Sequence, residues 1–109
     1  MTKAIEVPEP VLNRAARRKV MAEAARIVRS NGSAYDGVRY YVLRVYYGVA
    51  KRRARHAWYY APLTGVSTHE CRVVENKLHD EVGMHLALEV AKTIRLEREK
   101  NGATKRVFL

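Results

Sequence analysis

Apolar positions recur with two different periods along this chain. Between about Pro8 or Pro10 and Ser30, Leu12, Ala16, Val20 and Ile27 share one face of a helical projection, while Arg14, Arg18 and Arg29 fall nearly opposite. Proline suits the helix start, and Asn31-Gly32-Ser33 supplies the stop. From about Asn76 to Lys100, Leu78, Val82, Leu86, Val90 and Ile94 recur every four residues. Asn76 reads as its N-cap and Asn101-Gly102 as its end. Met84 and Leu88 lie off that stripe and form a second apolar patch, a surface for a partner or for a copy of the same chain.

The middle reads differently. Gly37 to Val49 is dense in Val and Tyr, and counting by twos leaves neither face cleanly polar, which fits a strand covered on both sides. The same stretch also carries a helical stripe at Val38, Val42, Val45 and Val49; its β-branched and aromatic composition favours the strand. His56 to Ala61, ended by Pro62, predicts a second strand, with Ala50 to Arg55 as a cationic hairpin tip. His69 to Glu75 predicts a third. The expected fold is therefore α+β: a three-stranded antiparallel sheet flanked by an N-terminal and a long C-terminal helix, in the order α-β-β-β-α.

Double-stranded RNA-binding domains use that order and place a basic helix start on phosphates. Here the start, Asn76-Lys77-Leu78-His79-Asp80-Glu81, carries two acids, so the likeness ends at topology. The chain predicts one small basic domain over residues 1–109, with 101–109 as a loose tail or a short extra strand.

Charge sharpens this picture. Of 109 residues, 21 are Lys or Arg and 11 Asp or Glu, a formal charge of +10. Residues 37–69 hold Arg39, Arg44, Lys51, Arg52, Arg53 and Arg55 and no acid, so that third alone contributes +6. All seven tyrosines and the one tryptophan lie between Tyr35 and Tyr60. Arginine forks match phosphates, and aromatic rings stack on unpaired bases. Arg39, Arg44, Lys51, Arg52, Arg53, Arg55, Trp58 and Tyr59, helped by Arg14 and Arg18, are the expected nucleic-acid contacts.

Other chemistry finds little support. His69, Cys71, His79 and His85 lack the paired spacing of a zinc site. His79-Asp80-Glu81 beside Glu70 or Glu75 fits no catalytic motif. No catalytic residue, metal or cofactor is expected. A spanning helix needs roughly 20 apolar residues and none is present. A single cysteine and a charged, non-apolar first ten residues give no sign of export, so a cytoplasmic setting is expected. The expected function is a small non-enzymatic nucleic-acid-binding protein, favouring RNA or single strands, with Met84 and Leu88 as a possible homodimer face. Two alternatives stand beside it. One is an adaptor or inhibitor of the kind phages and mobile elements encode, docking on an acidic protein or nucleoprotein surface. The other is a structural subunit of a ribosome-like particle.

Overall fold

A computed structural model describes residues 4–56 and 60–107. Its helices are α1 (Arg14–Asn31), α2 (Ala34–Val45), the short α3 (Lys51–Arg55) and α4 (Ala61–Thr64), and α5 (Thr68–Val107). Among the described residues there is no strand, so the expected three-stranded sheet and the α-β-β-β-α order are both overturned.

The sheet fails for a physical reason in each segment. The Val- and Tyr-rich stretch forms α2, in which Gly37, Val38, Tyr40, Val42, Leu43 and Val45 are all buried. A helix packed on nearly every side is apolar nearly all round, so its composition matches that of a doubly covered strand. Burial between neighbours overrides the modest helix propensity of Val and Tyr. Val38, Val42 and Val45 of the alternative helical stripe lie on buried positions of α2, and Val49, also in the core, follows the turn after it. The expected third strand, His69 to Glu75, is instead the start of α5. Ser67 caps that helix by accepting the Glu70 amide at 3.2 Å. Cys71, Val74, Glu75, Leu78, Val82 and Leu86 then follow at spacings of three and four on one buried face. Asn76 is therefore exposed in mid-helix, not a cap, and the backbone stays helical through Asn101-Gly102 to Val107. The expected short strand in the tail is absent from the described residues. Most of the second predicted strand, at 57–59, lies outside them; its ends close α3 at His56 and open α4 at Ala61.

α1 matches its sequence signals more closely. It starts at Arg14, later than the prolines suggested, because Asn13 caps it by accepting the Ala16 amide at 2.9 Å. It ends at Gly32, whose φ of 73° is the left-handed region that glycine enters without strain.

α1, α2 and α5 pack as the body. Tyr35, Arg39 and Tyr47 approach His79, Glu75 and Cys71, so α2 runs antiparallel to α5. α1 runs the same way as α5, as contacts of Arg17 near Glu81 and of Arg29 with Glu97 show. The close approach of α1 and α2 depends on Gly37, where a Cβ would collide with Val28 Cγ2 and lie 3.2 Å from the Ala24 carbonyl. At 1.5 Å per residue the 40 residues of α5 span about 60 Å. The molecule measures 69 × 25 × 24 Å, and its 16.6 Å radius of gyration exceeds the about 13 Å expected at this length. The excess is the far end of α5, exposed from Arg95 to Asn101. No helix among the described residues is long and apolar enough to cross a membrane.

Candidate nucleic-acid interface

The acid-free middle third is not free of acids in space. Glu23 is the only carboxylate on α1, and its side chain is 16 % exposed. It accepts Lys51 Nζ at 2.7 Å and lies 4.0 Å from Arg44 Nη2. Arg44 also donates to the Val49 carbonyl at 3.3 Å, tying the end of α2 to the turn before α3. Burial pushes the Glu23 carboxyl up, but Lys51, with Tyr40 and Arg44, more than offsets this and holds it below the usual carboxylate range. Tyr40 lies buried beside them, and burial followed by the Glu23 charge raises its hydroxyl above the ordinary value.

Glu75 of α5 performs the matching task on the other side. It is buried, accepts the Tyr60 hydroxyl, and lies 3.8 Å from Arg39 Nε. The Arg39 guanidinium also sits 5.7 Å from the centroid of the Tyr60 ring. Burial and then Glu75 push the Tyr60 hydroxyl far above its ordinary range, so it remains a donor. Arg39 and Arg44 are thus turned toward carboxylates from other parts of the chain, while Lys51 pairs with Glu23 and stays exposed.

Arg52, Arg53 and Arg55 are not so placed. All three are exposed on α3, and no carboxylate among the described residues pairs with them. α3 itself is a single turn anchored by buried Ala54 and by the Ala54 amide on the Ala50 carbonyl at 2.9 Å. Its one apolar residue fixes it to the body while the arginines point outward. Arg55 lines two adjacent hollows. One, of about 180 Å³, also meets Glu23, Arg26, Ser30 and Lys51. The other, of about 220 Å³, meets Asn31, Asp36, Arg39 and His56. Arg26 therefore joins the α3 arginines, although its place on α1 gave no sign of this in the sequence.

The remaining expected contacts are not gathered here. Arg14 and Arg18 line a separate cleft of about 550 Å³ between α1 and α5, with Arg17, Tyr41, Tyr46, Glu81, His85 and Glu89. Trp58 and Tyr59 lie outside the described residues. Tyr40 and Tyr60 are core residues, while Tyr41, Tyr46 and Tyr47 are half-buried against the core. These five rings serve packing before they could serve bases. Met84 and Leu88 of α5 are 59 % and 64 % exposed, and Leu88 also lines this cleft.

Among the described residues, no group of three or more His, Cys, Asp and Glu side chains is placed to hold a metal. Two residues apart on a helix, His69 and Cys71 point to different sides, and Cys71 is fully buried. The His79 ring lies 4.9 Å from the Tyr35 ring, tilted by 43°. Comparison with protein-family models, with curated proteins and with solved structures gives no match to this chain.

Proposed function

We propose that this chain is a small non-enzymatic nucleic-acid-binding protein that grips the phosphate backbone through α3 and the adjoining side of α1. The observation that supports it is the contrast within one cationic run. Arg39, Arg44 and Lys51 have carboxylate partners at 4.0 Å or less, whereas Arg52, Arg53 and Arg55 are exposed without one. Three adjacent guanidinium groups left uncompensated at a surface repel one another, and a polyanion relieves that repulsion. Guanidinium forks also suit phosphate oxygens geometrically.

The contact set is Arg26, Arg52, Arg53 and Arg55, with Lys51 shared between Glu23 and the surface. The structure weakens one part of the expectation: most tyrosines pack inward, so base stacking no longer argues for single strands. Recognition through the phosphate backbone remains, and it acts on RNA and DNA alike.

The test is binding of labelled RNA and DNA, single- and double-stranded, over a salt series. Four phosphate contacts give a slope of log affinity on log salt of about −3 to −4. An absence of affinity for any of these polyanions near physiological salt refutes the proposal and moves an acidic protein partner ahead.

A further inference from the structure

Three helices meet at the smaller of the two hollows beside Arg55. Glu23, Arg26 and Ser30 follow at spacings of three and four along one side of α1, Tyr40 comes from α2, and Lys51 and Arg55 come from α3. The volume of about 180 Å³ is below the roughly 300–1,000 Å³ that encloses a whole small molecule, so this hollow seats one chemical group.

The lining fixes the charge of that group. Glu23 is already answered by Lys51 at 2.7 Å and by Arg44 at 4.0 Å. Arg26 and Arg55 are exposed, and neither forms an ion pair with a carboxylate among the described residues. Two guanidinium groups therefore face one hollow with no anion left to balance them. Beside Glu23, the buried Tyr40 hydroxyl makes no hydrogen bond of ordinary geometry. The adjoining hollow differs, because Asp36 stands there with Arg55, and Arg39 is turned toward Glu75. The surplus of two positive charges belongs to the first.

We infer that this hollow seats the terminal phosphate of a nucleic-acid strand. The inference rests on the nucleic-acid reading above and narrows it to a strand end. An internal phosphodiester has a single negative charge, and the chain continuing on both sides holds it at the rim. A terminal phosphomonoester carries about −1.5 to −2 at neutral pH, offers three free oxygens, and has chain on one side only. It enters end-on, its charge matches Arg26 with Arg55, and its oxygens accept from their guanidinium forks. Arg52 and Arg53 do not line the hollow, and they hold the phosphates that follow along the strand.

Fluorescence anisotropy with the full chain and one single-stranded RNA of fixed sequence reads the preference. The RNA carries hydroxyl ends, a 5′ phosphate or a 3′ phosphate in separate arms. One phosphorylated form is expected to bind roughly tenfold or more tightly than the hydroxyl form. Methylating that phosphate to a diester returns the affinity close to the hydroxyl level. Arg26→Ala, with an unchanged far-ultraviolet circular dichroism spectrum, brings the ratio near one. Arg53→Ala weakens every form and keeps the ratio. Equal binding of phosphorylated and hydroxyl RNA, or a preference that survives Arg26→Ala or methylation, overturns the inference and leaves the backbone reading standing. No binding of any form removes both.

Discussion

Glu23 on α1 receives the Lys51 ammonium at 2.7 Å, joining two residues from thirds of the chain with quite different charge balance. This one pair, with Arg44 beside it, turns part of a basic run into internal structure. Glu23→Ala is expected to lower stability by roughly 1–2 kcal/mol, because it removes the acceptor beside the partly buried Arg44 and the exposed Lys51. It should also steepen the salt dependence of nucleic-acid binding, since Lys51 is then free to meet phosphate. Thermal melting and the salt series check the two effects, which run in opposite directions.

The same pair predicts a pH dependence. The Glu23 carboxyl is held below its ordinary value in the folded protein, so its ionised form favours the native state. That contribution is complete above the ordinary carboxylate range and is lost as pH falls through the lowered folded value. Wild type should therefore lose stability on acidification more steeply than Glu23→Gln. Melts at stepped pH measure it, and parallel acid profiles for the two proteins contradict it.

Glu75 and Tyr60 make the second internal anchor. Tyr60→Phe removes the donor to a buried carboxylate and leaves Arg39 as its remaining charged neighbour. A cost of roughly 1–3 kcal/mol is expected, measured by chemical denaturation with an unchanged m-value.

Gly37 tests the helix packing that replaced the expected sheet. A methyl group there meets Val28 Cγ2, Leu86 Cδ1 and the Ala24 carbonyl at once. Gly37→Ala, which would strengthen an exposed helix, should here destabilise by roughly 1–3 kcal/mol. An equal or higher melting temperature would show that α1 and α2 do not approach this closely.

How plainly each helix shows in the sequence depends on how much of it faces water. Leu78, Val82 and Leu86 were legible because α5 keeps one face in water, and a one-sided helix displays its period. The Gly32 stop was legible because its left-handed backbone selects glycine. α2 was not, because Val38, Tyr40 and Leu43 are buried on several sides and no polar face marks the period. The start of α5 was obscured for a related reason: Glu75, a charged residue, stands on the buried face, where Tyr60 and Arg39 satisfy it. The cationic run was visible, but its division was not. Glu23 and Glu75 reach it only through folding, and nothing in the linear order of charge distinguishes Arg44, which is compensated, from Arg53, which is not.

Two triple variants weigh that division most directly. Arg52→Ala, Arg53→Ala and Arg55→Ala together remove the α3 cations; Arg14→Ala, Arg17→Ala and Arg18→Ala remove equal charge from the separate α1–α5 cleft. The α3 triple variant is expected to lose most affinity for labelled RNA and DNA and to flatten the salt slope by about 2 to 3, while the cleft variant changes it little. Equal losses in the two variants, or an unchanged slope in the α3 variant, would show that the α3 arginines are not the phosphate contacts.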